Sequence, residues 1–246
     1  MNKGKVIKSK FYSLIKRLSP RLQGLISSAM SVGALKIGAG TYIHRTVQIT
    51  GKSSMYIGEN TVVGGGCWFN VNYRNNEEYS IEIGSNSFIG RRNFFSSGKK
   101  IVMGSYVLTA NDCHFIGSSH NIENPMVPYL LSGTTSKDII HIGHNVFIGS
   151  GAKIVGDVHV GHGSVIGANA MVLSDVPPFS IVTGNPATIR KRYSYVRKEW
   201  LDIMNYQISD ENSLPSEEDY HEHLQQAYAK IPMPYIAADA EMGNCR

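Results

Sequence analysis

His120 is the residue of this 246-residue chain whose setting most suggests chemistry. It opens the segment HNIENP, which carries Glu123 and Pro125. An imidazole titrates near neutrality, so it is the side chain best matched to take a proton from a hydroxyl as that hydroxyl attacks. A carboxylate can orient such a ring. Glu123 and Asp112 are both candidates, and the sequence does not choose between them. A second group is basic: Arg190, Lys191 and Arg192 follow an Asn-Pro-Ala segment, and guanidinium and ammonium groups suit phosphate.

The element that must position His120 is a repeat. From Ile142 the chain reads IGHNVF, IGSGAK, IVGDVH, VGHGSV, IGANAM. Position one is aliphatic (Ile142, Ile148, Ile154, Val160, Ile166) and position five is small or modest (Val146, Ala152, Val158, Ser164, Ala170). This is neither a helical period nor plain strand alternation. It suits a chain that runs straight, turns and runs straight again, three hexads closing one triangular coil. Short strands then bond to equivalent strands about 4.8 Å above and below. Glycine is expected at the corners because they need a backbone conformation costly for other residues. The register recurs upstream from Ile37, Ile57, Ile83 and Met103, and puts Cys67 and Cys113 at position five as packed core thiols. Two stretches break it, Val71–Ser80 and 117–140, and His120 lies near the start of the second. Insertions in solenoids mark binding faces.

The hexads of 142–172, followed by DVPPFSIVTGNPATIRKR at 175–192, resemble the hexapeptide-repeat acyltransferases, in particular the sugar O-acetyltransferase and xenobiotic acetyltransferase branch. The likeness covers roughly residues 37–192. It implies an all-β solenoid, a left-handed parallel β-helix, against the right-handed norm for parallel crossovers. It also implies a homotrimer with active sites between subunits, acetyl-CoA as cosubstrate, and a loop histidine as general base, for which His120, Glu123 and Pro125 match the family's loop. Carried over position by position, Gly149, Ser150 and Ala168 would let pantetheine lie along the coil edge. Leu173 and Ser174 would meet the CoA tail where relatives often have Thr-Lys, leaving the phosphates to Arg190, Lys191 and Arg192. Phe147 would line the thioester end, and a backbone N–H near Phe147–Ser150 would face the oxyanion.

The acceptor side departs from the family's small-sugar enzymes. RRNFFSSGKKIVMG lacks their aspartate, with Ser97 and Gly98 nearby instead. A glycan precursor fits that departure better than a free sugar, with 71–80 and 117–140 as walls. Tyr73 and Tyr79 in the first insertion could pack or bind sugar. No metal is expected: related carbonic anhydrases space two ligands five apart, whereas His141/His144 and His159/His162 are three apart and His114/His120 six. These histidines, His120 excepted, are read as solvated.

The expected organisation is a helical extension over 1–35, the β-helix domain over 36–192 with the loop 117–141, and a helical extension and tail over 193–246. Apolar positions over residues 5–30 recur at helical spacing, and Ser216 with Asp219 resembles a capping box. Ten Lys or Arg and no acid occupy residues 1–58, whereas 199–246 carry ten acids. The basic end is a solvated helix face or a contact with an anionic membrane surface. Nucleic acid is disfavoured for want of a binding motif. Neither a transmembrane run nor a signal peptide is evident, and three cysteines make no disulfide framework, so the expected compartment is the cytoplasm. The expected function is acetyl transfer to a saccharide hydroxyl in surface-glycan assembly. The alternatives are N-acetylation of an amino sugar or sugar nucleotide and a non-catalytic trimeric scaffold.

Overall fold

The computed structural model describes residues 35–72 and 78–229. The basic N-terminal segment, Tyr73 and the tail from residue 230 lie outside the described residues. The described structure forms one unit beginning at Lys36.

The chain advances in rungs of three strands. The first rung is β1 (Lys36–Ile37), β2 (Tyr42–Ile43) and β3 (Gln48–Thr50). The second is β4 (Met55–Ile57), β5 (Val62–Val63) and β6 (Trp68–Val71). The third is β7 (Ile81–Ile83), β8 (Phe88–Ile89) and β9 (Phe94–Ser97). The fourth is β10 (Lys100–Met103), β11 (Leu108–Thr109) and β12 (His114–Ile116). The fifth is β13 (Ile139–Ile142), β14 (Phe147–Ile148) and β15 (Lys153–Val155). The sixth is β16 (Val158–Val160), β17 (Val165–Ile166) and β18 (Met171–Val172). Every third strand pairs in parallel: sheet one is β1-β4-β7-β10-β13-β16, sheet two runs β2-β5-β8-β11-β14-β17, and sheet three runs β3-β6-β9-β12-β15-β18.

The hexad explains the core. Ile142, Ile148, Ile154, Val160 and Ile166 are fully buried, and the position-five residues from Val146 to Ala170 sit beside them. Burying one such aliphatic side chain contributes about 1.5–3 kcal/mol, and the repeat multiplies it along the stack. Under sheet three, Phe69, Phe95 and Phe115 stack at 4.4 and 4.5 Å between centroids. Cys67 and Cys113 are buried, and desolvation pushes both thiols up to about 11, away from nucleophilic use.

The glycine of the hexad serves a different purpose from the one expected. On the edge joining sheets one and two, a Cβ on Gly84, Gly143 or Gly161 would come within 2.4–2.6 Å of the next rung's backbone. Close stacking, not an unusual dihedral, excludes a side chain there. The left-handed conformation falls two residues later, on Asn60, Asn86, Tyr106 and Asn145, three of them the residue type that tolerates it best.

Beyond the rungs, β19 (Ser180–Thr183) extends sheet two in parallel, and β20 (Thr188–Ser194) and β21 (Glu199–Asp202) continue it as antiparallel strands. The domain boundary expected after Arg192 therefore falls inside β20, and 193–202 prolong a sheet instead of starting a helical extension. Among the described residues, α-helix follows as a short α1 (Ile208–Glu211) and as α2 (Glu217–Ala227). At α2 the expected cap is present: Ser216 Oγ accepts the Asp219 N–H at 3.1 Å. No helix among the described residues is long and apolar enough to cross a membrane.

Candidate active site

Both interruptions of the repeat leave from one edge, the third, where sheet three turns back to sheet one: β6 to β7 and β12 to β13. The longer loop is pinched at its base. A Cβ on Gly98 would lie 2.0 Å from the Gly117 carbonyl oxygen and 2.8 Å from that of Asp138. The two ends of the loop thus converge on the space a side chain would fill. Above the pinch the strands of the loop bond to each other. Thr135 N–H donates to Ser119 O at 2.7 Å, Asn121 N–H donates to Gly133 O at 3.1 Å, and His120 bridges Thr134. Ser119 N–H and the Thr135 hydroxyl add a further bond at 3.1 Å.

This ladder holds His120 outside the rung stack, exposed, and no described residue hydrogen-bonds its ring. Glu123 is also exposed and makes no ion pair among the described residues. Asp112 is not brought to His120. It lies on the second edge, between sheets two and three, across β12 from the loop, and both its oxygens accept from Arg92 at 2.8 and 2.7 Å. The Arg92 guanidinium holds its carboxyl below the usual range. Arg92 and Asp112 are 20 residues apart, one rung, so the hexad phase stacks them.

The residues expected to hold cofactor divide between two edges flanking sheet three. Ser150 and Ala168 are exposed on the second edge in adjacent rungs, and Asn169 N–H donates to Ser150 O at 2.8 Å. Arg190 joins them: it donates to Thr183 Oγ1 at 3.1 Å, and Thr183 packs over Gly167. Leu173 and Ser174 are exposed on the third edge, just past β18 and two rungs beyond the base of the His120 loop. Lys153 and Met171 lie between the two edges on the outer face of sheet three.

Three expectations change. A Cβ on Gly149 would sit 2.6 Å from the Ala168 nitrogen, so rung stacking by itself requires this glycine. The basic cluster lies on β20, and a strand separates neighbouring side chains. Arg190 is exposed and Lys191 half-buried, while Arg192 is buried, paired with Glu211, donating to Pro178 O at 2.9 Å and lying 4.6 Å from the Tyr206 ring. Arg192 thus anchors α1 and is not free for phosphate. Among the backbone donors near Phe147–Ser150, those of Phe147, Gly149 and Gly151 bond neighbouring rungs. The N–H of exposed Ser150 has no hydrogen bond among the described residues.

Phe147 is 42% exposed on the outer face of sheet two. It lines a cleft of about 420 Å³ together with Phe179, Tyr193, Tyr195, Trp200 and Tyr220. The cleft was not legible from the hexads, because five of those aromatics, all but Phe147, come from segments after the repeat ends. Of the two tyrosines in the first insertion, Tyr79 stacks on Tyr56 at 5.7 Å, with Lys36 Nζ 5.4 Å from its ring centre. It packs.

Residues 139–174 match the family model described as bacterial transferase hexapeptide (six repeats). No curated protein matches the sequence. Among solved structures, a point mutant of AntD, an N-acyltransferase from Bacillus cereus in complex with dTDP and coenzyme A, is 19% identical. The match covers 70% of this chain and 91% of that one, with a TM-score of 0.57. AntD in complex with dTDP and 3-hydroxybutyryl-CoA is 20% identical over 76% of this chain and 96% of that one, also with a TM-score of 0.57. The hexapeptide-repeat acetyltransferase VCA0836 from Vibrio cholerae, with acetyl-CoA, is 21% identical over 75% and 86%, with a TM-score of 0.45. At such identities the AntD likeness is one of fold. The chain therefore carries hexapeptide repeats over 139–174, in a fold shared with an acyltransferase that has been seen with coenzyme A bound.

Proposed function

We propose that the protein is an acetyl-CoA-dependent O-acetyltransferase acting on a saccharide, built on a left-handed β-helix and working as a homotrimer. The observation that carries this reading is the pinched loop that holds an exposed, uncommitted imidazole beside the rung stack. The acceptor hydroxyl attacks the thioester carbonyl carbon while His120 takes its proton. The tetrahedral intermediate collapses, the C–S bond breaks, and the CoA thiolate leaves with the proton that the imidazolium returns. No acyl-enzyme forms, so positioning supplies much of the rate. Because Ser150 lies on the second edge and His120 on the third, the two meet only across a subunit interface of the trimer: there the Ser150 N–H is the donor for the oxyanion, Ser150, Ala168, Leu173 and Ser174 bound the cofactor, Arg190 and Lys191 meet its phosphates, and Phe147 offers an apolar wall.

Support for the trimer comes from the loop tip. Ile122, Met126, Leu130 and Leu131 are 74–87% exposed, an apolar surface that a neighbouring subunit would cover. Glu123 then orients the ring only in the assembly.

His120→Ala tests the assignment. The expected result is a loss of about 10²–10⁴ in kcat with acetyl-CoA affinity and melting temperature unchanged; full activity in the variant would overturn it. N-acylation of an amino sugar is the second reading, favoured by the fold shared with AntD, an N-acyltransferase. Labelled acetyl-CoA offered with matched hydroxyl and amine acceptors, followed by product analysis, separates the two.

A further inference from the structure

The first edge, between sheets one and two, carries a cluster that acyl transfer does not use. His141 and His159 are register partners on β13 and β16, both pointing outward from sheet one, with ring centres 4.6 Å apart. Above them lies the first turn of α2. Pro215 O stands 3.2 Å from His162 Nε2, Ser216 caps the helix, and Glu217 is its first residue. A Cβ on Gly143 would come 2.8 Å from Glu217 Oε1, so the glycine ladder leaves the room this carboxylate occupies. One ring nitrogen of each histidine and one oxygen of Glu217 lie within 4.8 Å of one another.

None of these three side chains makes a hydrogen bond among the described residues, and His141 Nδ1 is buried without a partner. A buried imidazole nitrogen left unsatisfied costs about 1–3 kcal/mol, so such an atom calls for an explanation. Two imidazoles and a carboxylate form a donor set suited to a borderline divalent ion. Rungs about 4.8 Å apart bring the two rings edge to face with centres 4.6 Å apart, somewhat wider than an ion needs. Zinc bonds of about 2.0–2.1 Å place tetrahedral ligand atoms roughly 3.3 Å apart, a distance that side-chain rotation alone can reach. The fourth position remains for water.

We propose that His141, His159 and Glu217 form a zinc site that staples the N-terminus of α2 to the fifth and sixth rungs. The site sits on a different edge from His120, and the inference holds whether or not the protein transfers acyl groups. Bound zinc supplies the partner His141 Nδ1 or its neighbour lacks and ties an 11-residue helix to the stack.

The test uses the untagged full chain stripped with chelator. Isothermal titration with Zn²⁺ is expected to show one site per chain with a Kd below about 1 µM. The same ion should raise the melting temperature, because it binds only the folded state. Co²⁺ as a stand-in should give a visible absorption band. His159→Ala and Glu217→Gln should each weaken Zn²⁺ by about 100-fold or more and abolish the band, whereas His223→Ala, on an exposed position of the same helix, should change neither. His159 is exposed and Glu217 half-buried, and circular dichroism checks that the variants fold. Absence of Zn²⁺ binding by the wild type, or unchanged binding in His159→Ala and Glu217→Gln, overturns the site.

Discussion

The first and third edges of the rung stack are built from the same hexads but hold their appendages in opposite ways. On the third edge, the loop of 117–138 is fixed by its own backbone: a pinch at Gly98 and a short ladder between 118–121 and 132–135. A few short polar side chains reinforce this frame, Ser118 Oγ donating to Thr135 O at 3.0 Å and Asn121 Nδ2 to Ser132 O at 2.9 Å, and the His120 ring is left out of it. On the first edge, α2 is fixed by side chains. His144 stacks on His221 at 3.8 Å, Asn145 Nδ2 donates to Tyr220 OH at 2.5 Å, and the Tyr106 hydroxyl lies 3.3 Å from Tyr228 O. Burial there pushes His144 down to about 4, with His221 beside it adding to the shift. A backbone-built excursion can expose reactive groups without losing its shape. A side-chain-built one consumes the groups that hold it.

The largest expected effect on this contrast comes from Gly98→Ala. Two carbonyl oxygens occupy the space of the new methyl, so the loop must shift. Stability should fall by about 1–3 kcal/mol in denaturant melts. If the proposed role of His120 holds, acetyl transfer should fall with it. An unchanged melt would show that the pinch does not hold the loop.

A smaller effect, with a pH signature, is expected where the C-terminal segment is tied down by side chains. The Asp210 carboxyl accepts from Ser194 Oγ at 2.5 Å and from the Gln207 N–H at 3.1 Å, with Arg197 at 3.9 Å. Ser194 above all holds its pKa below the ordinary carboxylate value. A depressed folded pKa contributes stability that is present above the unfolded value and lost as pH falls through the folded one. Asp210→Asn should therefore lower the melting temperature at pH 7, and the gap from wild type should close on acidification below the carboxylate range. A gap independent of pH would mean that packing, not charge, sets it.

The smallest effect belongs to the second edge. Arg92 and Asp112 are about half exposed, and pairs of that kind contribute about 0–1 kcal/mol. Asp112→Asn should leave stability within about 0.5 kcal/mol and activity unchanged. A large loss of kcat with intact folding would restore Asp112 as a partner of His120.

The contrast also explains what could be read in advance. The rungs were legible because one short period dictates burial, and the cap at Ser216 was legible because it is local. The histidine cluster was not. Spacings of three and six carry no ligand pattern, and the informative separation is 18, three hexads: His141 lies over His159, and His144 and His162 are 18 apart as well. Outward hexad positions predict solvated rings, but His162 is only 6% exposed beneath α2. Likewise Arg190, Lys191 and Arg192 read as one patch, because alternation along a strand shows only once the strand is known.

The sequence by itself determined the hexad core, the position of each rung corner and the places where the repeat stops, since these follow from residue size at fixed spacing. Only the tertiary structure decided which corners the appendages cover, that Arg192 anchors a helix and Asp112 an arginine, and that Glu217 meets two histidines. Those contacts join residues tens of positions apart, and no local period records them. They depend on how far the chain after the last rung folds back along the stack.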